Sequence, residues 1–169
     1  LSGSAAVGTR APPDRDAFVL PEERAAGMGA ADVQRRFAAY MASARATQAA
    51  WTGRLQLFVG FETETYPGSD ALKRRLAAEH RPDYIVGSVH HVDGVLIDCA
   101  PDTTRALAGR LGGFDALYER YFDAQLDMIE ALRPAVVGHF DLVRIFDPED
   151  YRARLARPPI SATRDAAPA

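Results

Sequence analysis

Cysteine is almost missing from this sequence. Cys99 is the single one, so no bridge can close within the chain and a disulfide-stapled scaffold is excluded. One unpaired thiol also fits a reducing compartment, and a cytoplasmic protein is expected. Long apolar runs are missing too: no uninterrupted stretch approaches the ~18 residues of a membrane span. The first residues, LSGSAAVGTRAPPDRD, lack the apolar centre of a secretory leader. Charge of one sign is not in excess either. The chain has 20 Lys and Arg against 23 Asp and Glu, a net charge of −3, so neither nucleic acid nor a membrane surface is expected as partner. The chain opens on Leu1 rather than methionine, which reads as a fragment or a trimmed chain.

What is present is the make-up of one globular domain: 169 residues, 47% hydrophobic and 25% charged. Residues 1–30, rich in Gly, Ala, Pro and charge, read as a loop-rich segment. Residues 31–150 carry the periodic pattern, and 151–169, with Pro158, Pro159 and Pro168, read as a tail. Asp32 is placed to cap a helix bearing Val33, Phe37, Tyr40, Met41 and Ala44, ended by Gly53. Ser69 or Asp70 starts a second helix, closed by Arg81-Pro82. A short helical stretch over 103–111 ends at Gly112-Gly113. A long helix from Phe114 to Leu132 carries Leu117, Tyr121, Met128 and Leu132 and is closed by Pro134. Strands are predicted over 55–60, 84–89 and 135–138, with an Asp93-Gly94 hairpin turn after the second. Strands alternating with helices imply an α/β fold with a parallel sheet, and three strands are few for a complete one, so the pattern reads as part of a barrel.

Each predicted strand carries a glycine at or near its end, followed within a few residues by a metal-ligand type: Gly60 by Glu62, Gly87 by His90 and His91, Gly138 by His139 and Asp141. Parallel strands open their C-terminal ends on one face, so Glu62, His90 and His139 can converge there. A carboxylate and two imidazoles suit Zn, Mn or Fe. Asp141 and His91 fit as further ligands, ligand partners or proton carriers in catalysis, and Arg144 as a contact for a substrate phosphate. The plainer readings stand beside these. A histidine after a strand is commonly a hydrogen-bonded structural residue, and an extended chain sends neighbouring His90 and His91 to opposite sides. Glu64 reads as an exposed loop carboxylate able to stand in for Glu62. His80 reads as a helix-end residue, Arg144 as a solvated ion-pair partner.

Three runs carry a more specific resemblance: Val59-Gly60-Phe61-Glu62; Gly87-Ser88-Val89-His90-His91-Val92 with Gly94 and Ile97-Asp98; and Val136-Val137-Gly138-His139-Phe140-Asp141-Leu142. They resemble the histidinol-phosphatase branch of the PHP (polymerase and histidinol phosphatase) family, the fungal-type enzymes in particular, over roughly residues 13–150. The resemblance implies a distorted (β/α)7 barrel, of which this chain is the central portion, with two or three divalent metal ions at the strand ends. It implies hydrolysis of L-histidinol phosphate, a small phosphomonoester, in histidine biosynthesis, with Glu62, His90 and His139 as metal ligands. The family's His-x-His strand, its Glu-His-x-Pro-Arg-like histidine and its Asp-x-His motif have no counterpart here; the second corresponds to VGTRAPPDRDAFVLPEE. Two other readings follow: a catalytically inactive relative acting as a binding or scaffold protein, or the same chemistry on another phosphomonoester.

Overall fold

The structure, a computed structural model, describes residues 3–149; the tail predicted over 151–169 lies outside them. Four parallel strands form one sheet: β1 (Gly3–Arg10), β2 (Leu55–Thr63), β3 (Tyr84–Gly87) and β6 (Val136–Val137), side by side in that order. The strands β4 (His91–Val92) and β5 (Val95–Leu96) make a separate antiparallel hairpin. Its turn residues Asp93 and Gly94 both have positive φ, 49° and 77°, as a tight two-residue turn demands. Each strand of the main sheet joins next to its predecessor with no reversal of order, so every C-terminal end lies on the same edge of the molecule.

Five helices cover the connections: α1 (Pro21–Ala25), α2 (Ala30–Ala50), α3 (Asp70–His80), α4 (Pro101–Leu111) and α5 (Phe114–Leu132). In α2 the buried residues Ala30, Val33, Phe37, Met41 and Ala44 recur at three and four; Phe37, Met41 and Ala44 pack on β1 and β2, and Ala30 and Val33 pack with Val19. Asp32 is not the cap predicted for this helix. It lies inside the first turn and its Oδ2 accepts the Gly29 N–H at 2.9 Å, while Asp16, from the preceding loop, accepts the Ala30 N–H at 2.7 Å. In α5 the stripe is Leu117, Tyr121, Gln125 and Met128. It packs with Val89, Val92, Ile97, Leu107, Ala108 and Val143 into a second core, and large side chains buried this fully contribute about 1.5–3 kcal/mol each.

The N-terminal 30 residues are more ordered than a loop-rich segment. They contribute β1, a 3-10 turn over Asp16–Phe18 and α1. Small residues such as Gly3, Ala5 and Gly8 give little strand signal, and β1 is held by its ladder along β2 from Leu55 to Glu62. The remaining predicted elements stand within one to three residues of their observed bounds. The β3 glycine, Gly87, has no room for a side chain: a Cβ there would meet Pro134 Cγ at 2.8 Å and the Met128 thioether.

Candidate metal centre

At its C-terminal end β2 alternates side chains. Val59 and Phe61 enter the core against α2 and α3, which sends Glu62 to the opposite face, level with Arg10 of β1 and Val86 of β3. After β3 the chain turns out at Gly87-Ser88, and Val89, wholly buried, anchors the turn in the α4–α5 core. The Thr65 hydroxyl donates to the Ser88 carbonyl at 2.7 Å and thereby ties this turn to β2. After β6, Gly138 donates its N–H to Gly87 O at 2.9 Å. A Cβ on Gly138 would stand 2.5 Å from Ser88 Oγ and 2.8 Å from Val86 Cγ1, so glycine lets the third strand end close against the second.

His139 follows with φ 49°, left-handed backbone that costs a non-glycine residue roughly 1–3 kcal/mol and collects at functional sites. It is held there from α5. The Tyr121 hydroxyl donates to His139 O at 2.6 Å, and Gln125 Nε2 donates to Tyr121 Oη at 2.7 Å and to Phe140 O at 3.0 Å. Both side chains are buried.

One ligand atom each from Glu62, His90 and His139 lie within 4.8 Å of one another. Glu62 Oε1 is 3.2 Å from His139 Nε2 and 3.7 Å from His90 Nε2, and the two imidazole centroids are 5.0 Å apart. Glu62 Oε1 is itself buried with no hydrogen-bond partner among the described residues. A buried carboxylate oxygen left unbonded, facing two imidazole nitrogens, is the donor set a divalent cation would complete, so the residues fit such a group.

Glu64 departs from the exposed carboxylate read in the sequence. It is 6% exposed, with Oε2 2.9 Å from His90 Nδ1 and 3.9 Å from His91 Nδ1, and Oε1 3.9 Å from Arg10 Nη1. Burial works to raise its carboxyl, yet the His90 hydrogen bond and the charges of His90, Arg10 and His91 hold it below the ordinary value. Burial likewise opposes charge on His90, but Glu64, with Asp98 and Glu62, raises it above the usual imidazole range. His91 goes the other way: burial lowers it, helped by His90 and Arg10 and opposed by Glu64.

Of the other predicted site residues, His91 does not point clear of His90; both approach Glu64. His91 also meets Phe18 edge-on, with centroids 5.4 Å apart. Asp141 and Arg144 form a pair of their own, Nε to Oδ2 at 2.9 Å, on an open groove of about 430 Å³ shared with Leu142, Ile145 and Glu149. Neither belongs to the converging triad. His80 ends α3, edge-on to Phe37 at 5.1 Å, as the plainer reading had it. Sequence reasoning missed the supports. Tyr121 read as an ordinary position of a helix stripe and Gln125 was not singled out, although a glutamine inside an apolar stripe was a signal. Glu64 shares its parity with Glu62, so a continued extended backbone would have aimed both at one face.

No family model matches the chain. It is 35% identical over 143 residues to a protein of Schizosaccharomyces pombe named probable histidinol-phosphatase, an alignment covering 83% of this chain and 46% of that one. It is 29% identical over 145 residues to the histidinol-phosphatase of Saccharomyces cerevisiae, covering 79% and 43%. To a probable histidinol-phosphatase of Deinococcus radiodurans it is 27% identical over 117 residues, covering 68% and 44%. The chain thus spans a little under half the length of each of these relatives.

Proposed function

We propose that this chain, a homologue of the histidinol-phosphatases over most of its own length, carries the central part of a metal-dependent phosphatase acting on L-histidinol phosphate. One observation carries the reading: Glu62, His90 and His139, from three successive parallel strand ends, converge around a buried carboxylate oxygen that lacks a partner. The sheet, which grows at one edge without reversal, supports its being a segment of a PHP-type barrel. A cytoplasmic role in histidine biosynthesis belongs to the same reading. No helix among the described residues is long and apolar enough to cross a membrane.

In this reading Glu62, His90 and His139 hold a divalent ion, Zn, Mn or Fe, with a further one or two held by residues beyond this triad. When bound, such an ion polarises a phosphoryl oxygen and acidifies water. The rest falls to the chain's own side chains. Arg144, braced by Asp141 on the turn after His139, is the cation for the substrate's phosphate oxygens. Hydrolysis joins a water oxygen to phosphorus and breaks the ester P–O bond, and the departing alkoxide takes up a proton. His91 and Asp141 are the groups assigned to carry protons.

The test is metal content of the purified chain together with phosphate release from L-histidinol phosphate in the presence of Mn or Zn. His139→Ala and Glu62→Ala should each reduce metal-dependent release to background. Unchanged turnover in both variants would remove the site assignment.

A further inference from the structure

We propose that Glu64 is a positioning residue of this centre: it makes Nδ1 the protonated nitrogen of His90 and so presents Nε2 to the cation shared with Glu62 and His139. The proposal rests on the metal-site reading above.

Three observations lead to it. First, the contact is short and enclosed. Glu64 Oε2 lies 2.9 Å from His90 Nδ1, and both side chains are at most 11% exposed. An ionised carboxylate can only accept, so in the neutral imidazole, the form that can ligate a cation, the proton sits on Nδ1 and the Nε2 lone pair is left free. Second, Nε2 is the nitrogen that faces the site, 3.7 Å from the unpartnered Glu62 Oε1. The opposite tautomer would put N–H into the ion's place and leave two acceptors, Nδ1 and Oε2, in contact.

Third, Glu64 is held for this task from several elements. Arg10, at the end of β1, reaches its other oxygen at 3.9 Å and is itself fixed by Glu23 at 2.7 Å. The next residue, Thr65, donates to Ser88 O, and its hydroxyl accepts from Lys73 Nζ at 3.1 Å, so the backbone beside Glu64 is tied to the turn that carries His90. The two carboxylates at the end of β2 therefore have separate work. Glu62 offers an empty oxygen to the cluster, whereas both Glu64 oxygens face nitrogens of His90, His91 and Arg10. A carboxylate behind a ligating imidazole fixes its ring and raises its basicity, and losing one typically costs 10–100-fold in metal affinity.

Long-range 1H–15N correlation on the metal-free chain, at a pH high enough for His90 to be neutral, reads its tautomer directly, with Zn2+ affinity measured by calorimetry. The unsubstituted chain should show protonated Nδ1. Glu64→Gln should weaken Zn2+ about 10–100-fold and lose the single tautomer, while Glu64→Asp, which keeps the carboxylate, should retain most of both. A merely structural ion pair with Arg10 would change thermal stability and leave tautomer and affinity alone; that result overturns the proposal. So does protonated Nε2 in the unsubstituted chain, a result that does not require any variant to fold. Zn2+ binding with the wrong tautomer overturns this proposal only, whereas no Zn2+ binding overturns the metal centre and this proposal with it.

Discussion

Tyr121 shows how a residue far along the chain governs a ligand. Its hydroxyl is buried 2.6 Å from the His139 carbonyl and receives a bond from Gln125, so one oxygen joins helix and turn. Burial, ahead of smaller effects, pushes this phenol up to about 12, and it stays protonated at any working pH. Tyr121→Phe leaves the His139 carbonyl without this donor and Gln125 with only its bond to Phe140 O, which should cost about 1–3 kcal/mol. Urea unfolding measures that, and Zn2+ affinity should fall with it as His139 leaves its left-handed conformation. An unchanged midpoint would mean that the turn is held by other contacts. The strand–glycine recurrence made the convergence of Glu62, His90 and His139 legible in the sequence because each lies on the strand that places it or within three residues of its end. The burial of Glu64 was not legible: Arg10 and the His90-His91 pair enclose it, and only the fold brings them beside it.

Among the elements, the short link between α3 and β3 does much of the joining. Asp83 Oδ2 accepts from Val59 N–H and Gln48 Nε2 at 2.7 Å each and from Arg45 Nη1 at 2.8 Å, tying the end of α2 to the middle of β2. Burial works to raise this carboxyl, but the bonds from Val59, Arg45 and Gln48 outweigh it and hold the group below the ordinary value. A carboxyl lowered on folding gives stability that is fully present above the unfolded-state value of about 3.9 and is lost as pH falls through the folded one. The stability gap between the unsubstituted chain and Asp83→Asn should therefore be constant near neutral pH and close as pH falls below about 4. Thermal unfolding across that range measures it, and a gap that ignores pH would remove the charge from the account. Helices were the easiest elements to read, since Gly112-Gly113 and the apolar stripes of α2 and α5 are local signals. β1 was not, because small residues on an edge strand take their conformation from β2.

At the scale of the molecule, the sheet among the described residues is bounded by β1 on one side and β6 on the other, with Val136 51% and Phe140 58% exposed near the latter. A cation that binds only the folded chain stabilises all of it through this sheet. At 100 times its dissociation constant, Zn2+ should add about 2.7 kcal/mol, a rise in Tm of roughly 5–10 °C for a domain of this size. Glu62→Gln should abolish the rise, and a rise that survives would point to a different binding site. The single tryptophan makes this visible in an unexpected way. Trp51 closes α2 beside the start of β2, 41% exposed, with the Arg54 guanidinium 4.7 Å from its ring centroid. The stretch of β2 from Leu55 to Glu62 separates it from that carboxylate by roughly 23 Å. Its emission is therefore blind to occupancy of the cluster itself and reports only whether the far end of the strand is folded, so a zinc-dependent shift in its melting midpoint would be a direct optical record of one end of the strand stabilising the other.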